Sequence, residues 1–409
     1  MQGNAEEVFP GGRFWTPLRV LLIALLLPAF GLTAVRLVPE PALTPREVAS
    51  VEADLREAAL RMIETDGMRR GDGAVYAVDV TQLATAAALA NDAEVYEPLR
   101  RVILDELLVR RVEGDPAHGV IGWRFFPEPP ENQMAVDASG TTEALRAAEA
   151  LWEGVRAFGH DDDRAAIALI LDAYARHAYI DGGVWMIRNY FNLHPDVYHY
   201  VTNSFLVDYD PDLVTRLAEA YGRDDWAELA ANSAGVVEAA RTGSGLLHQV
   251  IRPEVATIMP GFAPGGFYSI DGVEQLSNVL TVAERSVTTN PEAAAEALAF
   301  ARERVGDLRL YYDVRTGVIV PAPGRPEARP GVETWGPLLR LAVRLDDRDT
   351  AVAALRQVVN QTRWMLRDEA ERDPPAYLLG EAWLALRYAA RASLLDPPAD
   401  PTSTEEAAP

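Results

Sequence analysis

The chain has 409 residues, 49% of them apolar, and a formal net charge of −23, enough for one large domain or two ordinary ones with a sizeable core. No basic stripe interrupts the acidity, which argues against nucleic acid as a partner, because phosphate binding needs clustered cations. There is no Cys and no Lys, which excludes disulfides, thiolate nucleophiles, Schiff bases and a Gly-Lys-Ser/Thr phosphate loop.

Residues 1–19 read as a cytoplasmic N-terminal segment. Arg13 and Arg19 precede the apolar run "VLLIALLLPAFGLTAV", so 20–36 is predicted to be a hydrophobic helix, either a signal anchor or a signal peptide. No small-x-small cleavage site follows, which favours the anchor. Residues 37–43 form a Pro-rich linker. Either export reading places the rest of the chain outside the cytoplasm, membrane-anchored or secreted.

Helical periodicity is predicted over 45–65, 79–91, 94–111, 139–158, 162–178, 210–221, 224–241, 271–287, 291–305, 332–346, 348–369 and 375–394. Thr44, Asp210 and Asn290 each stand before a Pro at a first turn, an oxygen-bearing cap followed by a pre-set φ. One strand signal is present, "LRLYYDVRTGVIVPA", a β-hairpin turning at Arg315-Thr316-Gly317. Alternate helices are entered by long, aromatic, Gly-rich loops; the others follow short turns such as Gly159–Asp161 and Gly222–Arg223. Six such α-hairpins predict an all-α (α/α)6 toroid over 44–395, whose inner helices read as apolar runs ("LATAAALA") because they are covered on most sides. An irregular helical bundle is the plainer alternative. The polar tail, 396–409, is predicted to be disordered.

The second inner helix opens with Asp137-Ala-Ser-Gly-Thr-Thr-Glu143, a carboxylate amid small polar groups. A helix N-terminus favours such a carboxylate through its free N–H groups and dipole. The plain alternative makes Asp137 or Ser139 an N-cap, with Thr142 and Glu143 in the first turn. The six His show no metal-ligand spacing, and no metal or cofactor is expected. His160-Asp161-Asp162-Asp163 reads as helix-start chemistry. Aromatic residues gather in the long loops, and Trp123, Trp185, Tyr200 and Trp335 are the candidates for stacking on sugar rings.

Taken in order, "GVIGWRFF…VDASGTTEALRAAEALW", "YHYVTNSFLVDYDPDLVTRLAEAYG" and "GGFYSIDGVEQL" resemble glycoside hydrolase family 8, the inverting endoglucanases and their relatives. The resemblance implies a six-hairpin toroid acting on a β-linked polysaccharide with no cofactor. It implies that Asp137 binds the distorted sugar and that Asp271 is the general base. It further implies that Gln82, Asn203 and Glu274 bind hydroxyls or support the site. The family's acid position departs: "YAVDVTQL" carries no Glu, and Asp79 is the nearest carboxylate. Inverting hydrolysis needs two carboxyls about 6.5–9.5 Å apart, one of them protonated. Asp79 as donor is shorter by one C–C bond, and a misplacement of about 1 Å costs roughly 100-fold; the plain alternative for Asp79 is a helix cap. Three readings stay open: a monomeric exported hydrolase; a non-catalytic polysaccharide-binding or secretion-assisting relative; and a toroid enzyme of another class such as a lyase, which the acidic charge disfavours for uronic-acid polymers.

Overall fold

The N-terminal apolar segment and the Pro-rich tail lie outside the residues that the computed structural model describes: 43–131, 133–181, 183–201, 203–251, 266–321, 329–367 and 375–396. Among these, no helix is long and apolar enough to cross a membrane.

Twelve α-helices form among the described residues, one for each predicted segment. In chain order they are α1 Pro45–Glu64, α2 Ala77–Ala90, α3 Ala93–Arg101, α4 Thr141–Phe158, α5 Asp163–Ala175, α6 Pro211–Tyr221, α7 Asp224–Ala239, α8 Leu276–Glu284, α9 Pro291–Arg302, α10 Val332–Arg344, α11 Arg348–Arg367 and α12 Ala376–Arg391. The Asp210 cap forms as expected, its carboxylate accepting from Leu213 N at 2.9 Å ahead of Pro211. Asn290 departs from expectation. Its side-chain amide reaches across to Ala234 O at 3.0 Å and makes no cap bond. The segment predicted as helix from 94 to 111 leaves α geometry at Val102, passes through a wider π turn and ends at Leu107. The predicted start of α8 at 271 is also corrected. Asp271 and Gly272 have left-handed φ of 55° and 71°, and Val273–Gln275 pairs as a strand with Tyr311–Asp313, so the helix begins at Leu276.

The even-numbered helices form the inner ring. α2 shows why they read as apolar throughout: every residue from Val80 to Leu89 is buried. Consecutive inner helices α8, α10, α12, α2 and α4 pack side by side, and the 3₁₀ turn Leu206–Asp208 bridges α4 and α8 across the remaining sector. The first inner helix therefore packs against the last. That contact depends on Gly380: a Cβ there would stand 2.7 Å from Leu83 N, so only a bare Cα lets α2 and α12 come so near.

Where one hairpin was expected, five small sheets occur among the described residues. The expected hairpin is not one of them: its arms meet at a single bridge, Tyr312 with Ile319, and its first arm, Tyr311–Asp313, pairs instead with Val273–Gln275. Asp313 N donates to Val318 O at 2.9 Å and Gly317 N to Asp313 O at 2.8 Å, while the Asp313 carboxylate gathers Arg315 N and Thr316 N. The rest arise in the long loops, such as Ala178–Asp181 with Val184–Ile187. Such pairing satisfies backbone groups in loops that lie over a helical ring.

Candidate carbohydrate site

The loops that enter the inner helices enclose two cavities. The first, about 650 Å³, lies at the start of α4 and is lined by Trp123, Asp137, Thr142, Glu143, Asn189 and Tyr190 among others. Its wall is built by pairing 122–123 with 138–139: Trp123 N donates to Ala138 O at 3.1 Å, and Gly122 bridges Ser139. Asp137 is thereby brought under two donors, Trp123 Nε1 at 2.8 Å and Arg124 Nη2 at 2.9 Å. Arg124 lies over the Trp123 ring, 4.3 Å from its centroid, and Tyr76 meets that ring edge-on at 5.3 Å. The indole face and the Asp137 carboxylate are fixed together.

The floor is polar and rigid. Thr142 Oγ1 donates to Asp208 at 2.8 Å, and the Asn189 amide donates to both oxygens of the same carboxylate at 3.0 and 3.1 Å. Phe205 N adds a further bond. Asp208 is fully buried, and burial pushes its carboxyl up to about 7 in spite of those donors. Glu143, in the first turn of α4, folds its carboxylate back over Gly140, where a Cβ would collide with Oε2. Burial raises the Glu143 carboxyl above the ordinary range, with Arg146 and Arg285 pulling the other way.

The second cavity, about 500 Å³, lies at the start of α8 and includes Asp271, Glu274, Phe205, Gln249, Asn278 and Tyr311. Asp271 is exposed there, and its left-handed backbone is a conformation that Asp tolerates better than most residues. Glu274 is buried and accepts from Gln249 N at 3.1 Å. Burial pushes its carboxyl up to about 7, against hydrogen bonds from Ser269 and that backbone N–H. Ser269 Oγ in turn meets His248 Nδ1 at 2.9 Å. Segment 204–208 joins the two sites: Phe205 lines the second cavity, and its N–H binds the Asp208 that holds the floor of the first.

The remaining predicted residues fall elsewhere. Asp79 lines neither cavity. It is 1% exposed, accepts Arg70 Nε and Nη2 at 2.8 and 2.9 Å, and takes Tyr377 N at 3.0 Å. It does not cap α2; it receives the first turn of α12. Arg70 stacks on Tyr76, 4.0 Å from the ring centroid. Tyr76 shares Asp72 with Arg124, by donors at 2.8 and 2.7 Å, and Arg124 reaches Asp137. An Arg–Tyr–Arg stack thus links Asp79 to Asp137. Gln82 is buried between Arg146 and Glu381. Trp335 is buried and gives its indole N–H to Pro330 O at 3.2 Å, so it holds its loop rather than offering a ring face. Tyr200 meets Phe191 and His177 edge-on at 4.7 and 4.9 Å against a small apolar cluster. Trp185 leans on Tyr209, and Asn203 contributes its backbone O to Asn189 N at 2.8 Å. Sequence reasoning missed Arg124, Asn189 and Asp208. In "FLVDYDPDL" the Asp210-Pro211 cap is legible, but nothing local distinguishes Asp208 from a solvated loop residue.

The fold is similar to that of several solved glycosidases. It superposes on an α-amylase from Clostridium perfringens with a TM-score of 0.59 at 13% identity, covering 77% of this chain and 87% of that one. A β-1,3-1,4-glucanase from Paenibacillus sp. X4 gives 0.58 at 11% identity, with 87% and 95% covered. An endoglucanase from Klebsiella pneumoniae, described as a family 8 glycosyl hydrolase, gives 0.50 at 14% identity, with 76% and 99% covered. No protein-family model and no curated protein matches the sequence. The shared property is the fold: a glycoside hydrolase-like helical toroid.

Proposed function

We propose that this chain is an exported saccharide-binding protein on a family 8-like toroid, in which the first cavity takes a sugar unit and hydrolysis by the inverting pair is lost. The observation that carries the reading is the state of Asp79. Both its oxygens are held by Arg70 outside the cavities, while Asp137 and Asp271 line different ones. Inverting cleavage needs an acid and a base flanking one bond, and Asp79 lines neither cavity. The first cavity keeps what recognition requires: the Trp123 face for a pyranose, with Asp137, Asn189 and Thr142 for hydroxyls. The glucanase and endoglucanase among the fold relatives make β-glucan the first ligand to test, and the amylase makes starch fragments its control. Export rests on the apolar run 20–36, and appearance of the chain in a membrane or external fraction tests it.

One observation favours a hydrolase instead: Glu143, its pKa raised by burial, lies in the same cavity as Asp137. Calorimetric titration with cello-, mixed-linkage and malto-oligosaccharides, run beside a reducing-end assay, separates the two readings. Binding that Trp123→Ala abolishes, without new reducing ends, supports the proposal. Reducing ends that Glu143→Gln suppresses support the hydrolase. Absence of both binding and cleavage across the panel overturns both.

A further inference from the structure

Beneath the first cavity, Asp208 is fully buried at the end of the 3₁₀ turn Leu206–Asp208. Two side chains that line the cavity, Thr142 and Asn189, bond its carboxylate. Among the described residues the partners of that carboxylate are donors: Thr142 Oγ1 at 2.8 Å, Asn189 Nδ2 at 3.0 and 3.1 Å, and Phe205 N at 3.0 Å. A protonated Asp208 carries a hydroxyl that needs an acceptor, because a buried donor left without one costs free energy. Phe205 N and Asn189 Nδ2 can only donate. The Thr142 hydroxyl can reverse, since a second acceptor, Val207 O, lies 3.2 Å from its Oγ1.

The surroundings bring both forms within reach near neutral pH. Burial, and more weakly the like charge of Glu143 on α4, pushes the Asp208 carboxyl up to about 7 against the pull of its donors. Arg146 on α4 and Arg285 on α8 act on Glu143, and Arg285 Nη1 also reaches Val207 O at 3.3 Å. Tyr174 on α5 donates to the Asp208 backbone O at 2.8 Å, and burial keeps both Tyr174 and Tyr209 neutral. Burial pushes Asp210, the cap of α6, up to about 7 as well. That carboxyl, however, lines a separate cavity of about 190 Å³ on the ring axis, among Arg146, Arg216, Arg285, Arg340 and Arg344.

We propose that Asp208 and Thr142 form a pH switch beneath the first cavity, which takes a sugar more readily when Asp208 is ionised. In that form Thr142 donates to Asp208, its hydroxyl polarised by the charge, and both of its lone pairs remain to accept from a sugar hydroxyl. In the protonated form Asp208 donates to Thr142 Oγ1, and the Thr142 proton turns to Val207 O. One lone pair is then spent, and Asn189 loses one of the two oxygens that its amide spans. The inference rests on the saccharide reading of this cavity and adds its regulation: binding tightens as pH rises through the titration of Asp208.

The test uses the intact chain. Cellotetraose and maltotetraose are titrated calorimetrically at about pH 5.5 and about pH 8.5, on either side of the Asp208 titration. Affinity should be about fivefold higher at the upper pH, the worth of roughly one hydrogen bond. Asp208→Asn should remove that difference. Glu143→Gln and His194→Gln, which replace two other titratable side chains of the cavity, should keep it even where the affinity itself moves. If Asp208→Asn does not fold, Thr142→Val takes its place: it keeps the volume, removes the reversing hydroxyl and should level the two pH values. Equal or lower affinity at the upper pH, a difference that survives the deciding variant, or one that Glu143→Gln or His194→Gln abolishes overturns the switch and leaves the saccharide reading standing. Absence of binding at either pH overturns that reading and the switch with it.

Discussion

Asp79→Asn tests the central claim, because the two roles for this residue predict opposite outcomes. The wild-type carboxylate is 2% exposed and accepts three bonds, two from Arg70 and one from Tyr377 N. Asparagine keeps the volume and one acceptor oxygen but turns the other into a donor facing a guanidinium. Breaking a buried ion pair by removing one partner costs about 3–5 kcal/mol. Here the Arg70 side chain is 39% exposed and can turn towards water, so about 2–3 kcal/mol is the expected loss. For a domain of this size about 2 °C per kcal/mol applies, giving a fall in Tm of about 4–6 °C by calorimetry or circular dichroism. The bond to Tyr377 N joins the entry of α12 to α2, so the loss should appear in global unfolding rather than in a loop. Saccharide affinity, measured in parallel, should change less than about twofold. A catalytic acid would behave otherwise: removal would leave stability unchanged or raised, since strained active sites trade stability for function, and any hydrolysis would vanish. Unaltered Tm together with lost reducing-end release would refute the structural role given to Asp79.

Trp123→Phe keeps the ring face but removes the N–H donated to Asp137, and should weaken saccharide binding about tenfold, or 1.4 kcal/mol, as read by calorimetric titration. Gly140→Ala places a Cβ where Glu143 Oε2 now lies; it should displace that carboxylate and change the affinity while leaving the Asp79–Arg70 pair intact, which a crystal structure of the variant checks. Glu274 ionises near 4.5 in an unfolded chain and at about 7 when folded, so the native state holds its proton more tightly. This group therefore lowers stability as pH rises from about 4.5 through 7, and the wild-type Tm relative to Glu274→Gln should fall across that window in a pH series of melts. Gly380→Ala forces a Cβ to within 2.7 Å of Leu83 N; overpacking of about 1–3 kcal/mol, offset by about 1 kcal/mol of helix propensity, should still lower the urea midpoint.

The helices were legible because their signals are local. Apolar spacing, a Pro after an oxygen-bearing cap and the alternation of long with short connections place all twelve, and they separate inner from outer. The boundaries that moved did so for non-local reasons. The start of α8 is set by Tyr311–Asp313, which claims Val273–Gln275 for a strand. The end of the third predicted helix is set by the chain's return at Ile121, which bridges Leu108. Likewise, the small sheets depend on pairings between loops that no single segment announces.

The site was legible in part, and the division has a physical basis. Asp137, Thr142 and Glu143 could be read because a helix start advertises its polar groups within a few residues, and the structure sets all three in one cavity with Trp123. Asp79 shows the limit of that reading. A carboxylate's role follows from what faces it, and Arg70, nine positions earlier in an irregular loop, has no sequence signature as a partner. The same holds for Asp208, made a buried acceptor by donors from Thr142, Asn189 and Phe205, and for the arginines of the ring axis. On a helical wheel Arg146 and Glu149 pass for a solvated stripe on α4; only closure of the ring turns that stripe inward. A toroid converts the polar side of an inner helix into interior. Its charges must then find partners across the axis, as Arg340 does with Glu381 and Glu284 and Arg344 does with Asp212.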